Sequence, residues 1–317
     1  MAAMAAVLFA VPLPAVADSA RPSNYRSEVT SIEPFTEGVV AEVVGGDAFL
    51  QVRVERGVSV EVPGYEGEPY VRIDAEGIVE VNRNSPTYWV NEDRFGVRPV
   101  PEGASADAAP DWERVGSGGV YGWHDHRIHW MSPEPPPAVE PAAPAEIFDW
   151  VVPLIVDGSP VQILGTLEWL PNTGPIPWAL LVAAAAGAVL VRPMLLLVGA
   201  VAATTVGFAQ MADSPLGPGG ELLSWAPPVA ALLLSGAALR RKGRHLLLGA
   251  TAAVLLAWVA TRLGALWMPS LPTALPTWLE RAATALAAGT GLGGVVAVYR
   301  ETQRTAPGSA VQPGSGG

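Results

Sequence analysis

The sequence predicts a mixed, two-domain chain: an all-β sandwich outside the membrane, followed by an all-α bundle of five transmembrane helices. Three observations carry this reading. Charge is split at Trp178: residues 18–177 hold 10 Arg, no Lys and 26 acids, while residues 178–317 hold 8 Arg, one Lys and 4 acids. An acidic half joined to an apolar half points to two solvents. The first half alternates in short runs between turn residues, whereas the second half is built of long apolar runs. Lys and Arg of the second half collect in alternate loops, as they do when one side of a membrane is cytoplasmic.

Composition narrows the classes. The 317 residues are 50% hydrophobic and 15% charged, with mean hydropathy +0.31; an ordinary soluble domain is about 25% charged. Cysteine is absent, which excludes a disulfide scaffold, a zinc finger and thiol catalysis. A net charge of −11 argues against nucleic acid as a partner, since that needs basic surface.

Residues 1–17, MAAMAAVLFAVPLPAVA, read as a secretory signal peptide, with Ala15-Val16-Ala17 as the cleavage site before Asp18. No Lys or Arg precedes the apolar run, so an uncleaved anchor is the alternative. Either one exports the acidic domain.

Residues 18–172 form the extracytoplasmic domain. Val39–Val44, Gly45-Gly46-Asp47 and Phe49–Val54 spell a hairpin. Further strands are expected at Val58–Val62, Tyr70–Ile73, Ile78–Val81, Tyr88–Val90, Gly119–Trp130, Phe148–Val156 and Val161–Leu170, about nine in all. Residues 132–146, SPEPPPAVEPAAPAE, make a stiff, acidic surface connector, and residues 100–111 a similar loop. The acid pairs Glu66/Glu68 and Glu92/Asp93 read as solvated surface. Gly64–Tyr70 reads as a turn between strands, with a ligand loop as the alternative.

Residues 149–170, DWVVPLIVDGSPVQILGTLEWL, resemble the closing hairpin of CopC-type periplasmic copper-binding domains. Asp157, Gly158, Pro160, Val161, Gly165 and Leu167 stand at the corresponding places. The resemblance implies an immunoglobulin-like β-sandwich; in several such proteins it precedes a multi-span membrane domain. Its copper chemistry is carried over less well. The turn histidine of the family is Ser159 here, and no His precedes position 124.

Three of the four histidines fall in Trp123-His124-Asp125-His126-Arg127-Ile128-His129-Trp130. On an extended strand His124 and His126 would share a face about 7 Å apart. His129 would join them only through a bend. Imidazole suits copper or zinc, so His124, His126 and His129 are the candidate metal ligands. Structural hydrogen bonding and pH sensing are the two alternatives.

Residues 173–300 form the membrane domain, with spans expected at about 176–191, 194–211, 222–239, 246–266 and 278–299. Pro193 fits the first turn of the second helix. Trp178, Trp225, Trp267 and Trp278 fall at one set of helix ends; Arg192, Arg240, Arg241, Lys242, Arg244, Arg300 and Arg304 fall at the other. Together they predict an N-terminal domain outside and a cytoplasmic C-terminus. Arg262 and Glu280 are expected to anchor at the interface, with a pair across helices as the alternative. Gly289-Thr290-Gly291-Leu292-Gly293-Gly294 matches a dinucleotide fingerprint but lies inside an apolar run, so it reads as close helix packing and not as a nucleotide site. Residues 301–317 read as a disordered cytoplasmic tail.

No catalytic motif is present, and an enzyme is not expected. The expected function is a multi-pass cell-membrane protein that handles copper or zinc through its outer domain. The alternative is a membrane-anchored module that docks an extracytoplasmic protein, the histidines being structural. A third reading has the bundle transporting a neutral solute.

Overall fold

The computed structural model describes residues 19–137, 139–241 and 244–305. The expected signal segment 1–17, Lys242 and the tail beyond 305 lie outside the described residues. A large antiparallel β region is followed by a mostly helical C-terminal part.

The β region has ten strands: β1 (Tyr25–Glu33), β2 (Val39–Val44), β3 (Phe49–Val54), β4 (Val60–Pro63), β5 (Pro69–Ile73), β6 (Ile78–Asn82), β7 (Trp112–Ser117), β8 (Val120–Trp123), β9 (Ala145–Val156) and β10 (Ser159–Trp169). They form a seven-stranded sheet, order β1-β10-β9-β4-β5-β6-β7, and a three-stranded sheet, order β2-β3-β8. Inward residues of both sheets share one core, which includes Leu50, Val52, Ile73, Trp123, Trp150 and Ile163. Both expected hairpins form. Asp157 and Gly158 take the turn between β9 and β10 at φ 47° and 77°, the conformation that favours Asp-Gly in a two-residue hairpin.

Three expectations fail here. Tyr88–Val90 is not a strand but part of a short helix, α1 (Pro86–Val90), with Ser85 before it and Pro86 in its first turn; a fixed proline φ suits a helix start. Gly119–Trp130 is a strand only to Trp123. Glu68 and Glu92 are buried rather than solvated.

The helical part contains α2 (Ile176–Val191), α3 (Leu196–Asp213), α4 (Gly217–Gly220), α5 (Leu222–Ala238), α6 (His245–Ala260) and α7 (Thr277–Thr305). The expected count of five is therefore not met: with α1 there are seven helices among the described residues. The additions, α1 and α4, are too short for a hydropathy pattern to reveal. Pro193 opens a 3-10 turn, Pro193–Leu195, ahead of α3. The run 246–266 breaks after Ala260 into a 3-10 turn, Leu263–Leu266. Two helical stretches, Pro193–Asp213 and Thr277–Arg304, are long and apolar enough to cross a membrane.

Helix α7 is the hub. A Cβ on Gly289 would lie 2.4 Å from the Val182 carbonyl oxygen, and one on Gly293 2.5 Å from that of Ala186. The glycine run thus lets α2 approach α7 backbone to backbone, as expected of small residues in apolar helices. Pro228 inside α5 has no N–H to offer the Ser224 carbonyl. The Trp258 indole Nε1 of α6 donates to that oxygen instead, at 2.8 Å.

The two parts meet at one end of each. Ser23 and Ser270 exchange backbone bonds at 3.0 and 3.1 Å. Ala20, Ala48 and Phe49 pack with Leu216, which precedes α4. Gly122 of β8 lies against Pro215, 2.6 Å from where a Cβ would sit. At this junction end lie the β2–β3 turn, Tyr25 and Trp169; the Asp157-Gly158 turn lies at the far end of β10.

Candidate functional site at the junction

Strand β8 carries the histidine segment to the junction end, where Trp123 pairs with Leu50. There Asp125, with no solvent exposure, turns the chain out of the strand. Its Oδ2 accepts from Trp123 Nε1 at 2.8 Å and from Arg127 Nη2 at 2.6 Å; its Oδ1 accepts from Arg127 Nε at 2.7 Å and from the Arg127 N–H at 3.0 Å. Burial alone would raise the Asp125 pKa, but the Arg127 guanidinium holds it below its ordinary value. Ile128 then folds back into the core. The alternation expected of an extended strand therefore does not apply to the three histidines.

The turn nevertheless gathers them. Ring centroids are 5.3 Å apart for His126 and His129, and 6.5 Å for His124 and His129. Buried His124 lies against Phe49, with ring centroids 4.2 Å apart and planes tilted by 33°. Half-buried His126 donates from Nε2 to the Asp93 carbonyl at 2.9 Å, and its backbone N–H bonds the Tyr65 hydroxyl at 2.8 Å. Buried His129 donates from Nδ1 to the Trp130 carbonyl at 3.2 Å, and its Nε2 makes no hydrogen bond. Burial pushes the His129 pKa down to about 3, with Arg94 adding to it, and burial also lowers that of His126. The His129 ring therefore stays neutral through pH 5–6, which removes the pH-sensing alternative for that histidine.

For a metal, the fit is incomplete. Among the described residues no three His, Cys, Asp or Glu side chains are arranged to hold an ion. His126 and His129 each tie one nitrogen to a backbone carbonyl and keep one lone pair, a disposition shared with metal-bound histidines. Ser159, where the CopC-type turn carries its histidine, sits at the opposite end of β10, roughly 30 Å away at 3.3 Å per residue.

Around the histidines lies a braced set of loops. Glu68 accepts from the hydroxyls of Ser85 at 2.6 Å and Thr87 at 2.7 Å, holding the start of α1. Tyr65 bonds Asn91, and the Arg127 guanidinium lies over the Tyr65 ring at 5.1 Å. Gly64–Tyr70 is a turn between β4 and β5, fixed in this framework. Arg94 pairs with buried Asp47, and Arg98 with Glu92. Sequence reading gave no sign of these pairs, because nothing local says which of many acids meets which arginine.

A second polar group lies in the helices just below. Arg262 donates from Nη2 to Gln210 Oε1 at 2.7 Å and Glu280 Oε1 at 3.2 Å. Gln210 Nε2 reaches Glu221 at 3.1 Å and the Ala20 carbonyl at 3.2 Å. Arg262 and Glu280 thus pair across helices, buried, and do not anchor at an interface. This corrects the favoured expectation for them. Arg281 is buried as well, bonded to the Ala265 and Met268 carbonyls.

Compared with known proteins, the chain matches no family model, no curated protein and no solved structure.

Proposed function

We propose that this chain is a multi-pass membrane protein whose β region, an immunoglobulin-like sandwich, is a docking module held at the outer membrane surface, with the histidines as its internal bracing. The single observation that carries this reading is the inverted polarity of the helical part. Leu223, Leu233 and Leu246 are 73, 69 and 75% exposed, while Glu221, Arg262, Glu280 and Gln210 are buried. In water that arrangement is unfavourable on both counts; in hydrocarbon it is the expected one. Trp178, Trp225, Trp267 and Trp278 lie at the β end, and Arg192, Arg240, Arg244, Arg300 and Arg304 are exposed at the other. This supports the β region outside and the C-terminus inside. Helices α2 and α6, of 16 residues, reach about 24 Å, so the bilayer thins around them or their flanking turns complete the crossing.

The experiment uses the absence of native cysteine. Phe35→Cys and Arg304→Cys are labelled separately in intact cells with a membrane-impermeant maleimide. Labelling of position 35 but not 304, with the protein resistant to alkaline extraction from membranes, is expected. Extraction into the aqueous phase, or equal labelling of both, overturns the reading.

One observation favours copper or zinc at His126 and His129 as a second reading: both rings are neutral, both are tethered through one nitrogen, and their centroids lie 5.3 Å apart.

A further inference from the structure

The loop Arg94-Phe95-Gly96-Val97-Arg98 is an apolar tip on a charged domain. Val97 is 77% and Phe95 39% exposed. The Phe95 and Val97 N–H groups both donate to Asp93 Oδ1, at 2.8 and 3.2 Å. Arg94 is paired with Asp47 and Arg98 with Glu92. The tip is also fixed in shape. Gly96 has φ 63°, and a Cβ there would lie 2.9 Å from both His126 Cε1 and Val90 Cγ1. His126 holds the loop again through the Asp93 carbonyl. A rigid loop that neutralises its own charges and presents two apolar side chains is built to leave water.

Its place in the fold says what it meets. Asp47, which anchors Arg94, directly precedes Ala48 and Phe49, and these pack with Ala20 and Leu216 at the outer end of the helices. We propose that Phe95 and Val97 rest in the headgroup layer of the membrane that the helices cross, as a third point of contact beside the Ser23–Ser270 strap and the Ala20–Leu216 cluster. The partner is the lipid surface itself. With both arginines paired, the loop makes no demand for anionic lipid, so phosphatidylcholine suffices. The histidine segment then has a mechanical purpose: it sets the height and angle of this loop against the bilayer. The inference rests on the membrane reading above, and the experiment separates the two.

Full-length Val97→Cys, Phe95→Cys, Leu233→Cys and Phe35→Cys proteins are labelled with a polarity-sensitive fluorophore and reconstituted in phosphatidylcholine vesicles. The vesicles carry nitroxide at the headgroup or deep in the acyl chains. Labels at 97 and 95 are expected to be quenched severalfold more by headgroup nitroxide than the label at 35, which lies on the loop before β2 at the end far from the junction. The label at 233 is expected to respond to deep nitroxide. If 233 responds while 97 and 95 match 35, the loop contact is overturned and the membrane reading stands. If 233 does not respond either, both fall.

Discussion

Arg262 and Glu280 meet at 3.2 Å with 5 and 0% of their side chains exposed, and the Arg262 guanidinium also lies 4.5 Å over the Trp258 ring. A charge pair at this depth is held by its partners rather than by water, so removing one member leaves the other stranded. Glu280→Ala is expected to cost about 3–5 kcal/mol, whereas the apolar double variant Arg262→Met/Glu280→Leu costs much less. Thermal unfolding of the detergent-solubilised protein checks this. Equal losses in single and double variants would mean that the pair does not form.

What the sequence made legible, and what it did not, follows from range. The β2–β3 and β9–β10 hairpins were legible because alternation and Gly/Asp turns are local properties. Strand β7 was not, because it is an edge strand whose Glu113, Arg114 and Val115 are all exposed and so do not alternate. The clustering of His124, His126 and His129 was visible; their geometry was not, since it depends on Asp125 binding Trp123 and Arg127 and ending β8. The pairing of Arg262 with Glu280 was not legible, since the sequence does not show which faces of two helices oppose.

The α2–α7 seam leaves no room for side chains at two positions. Gly293→Val would place its Cβ 2.5 Å from the Ala186 carbonyl oxygen and 2.9 Å from Val189 Cβ. We expect it to push α2 outward and cost about 1–3 kcal/mol. Gly187→Ala, with nothing within 4 Å of its Cβ, serves as the tolerated control. A melting temperature for Gly293→Val equal to that of Gly187→Ala would contradict the backbone contact.

Acid should loosen the histidine segment. His129 titrates at about 3 in the fold, against 6.5 when unperturbed, so the unfolded chain takes up the proton first. Its stabilising contribution is whole above about pH 6.5 and declines as pH falls toward 3, at up to about 1.4 kcal/mol per pH unit. His126, also shifted down by burial, adds in the same sense. Melting temperatures between pH 6.5 and 5, above the range where carboxylates dominate, are expected to fall less steeply for His129→Gln than for wild type. Parallel slopes would show that His129 is not buried as a neutral ring.

The two readings of the histidines part in the absence of metal. As bracing, His126 positions the Asp93–Val97 loop through its 2.9 Å bond to the Asp93 carbonyl, and this needs no ion. His126→Ala should then raise proteolytic cleavage within 91–100 in metal-free buffer, and Cu(II) or Zn(II) should stabilise wild type and variant alike. As ligands, the imidazoles would bind one equivalent, and the metal would raise the wild-type melting temperature by mass action. That increment would vanish in both His126→Ala and His129→Ala. The bracing role predicts the first pattern because the bond from His126 to the Asp93 carbonyl needs no ion and, among the described residues, no three His, Cys, Asp or Glu side chains are arranged to hold one. Stoichiometric uptake lost in both variants would give the site to copper or zinc instead.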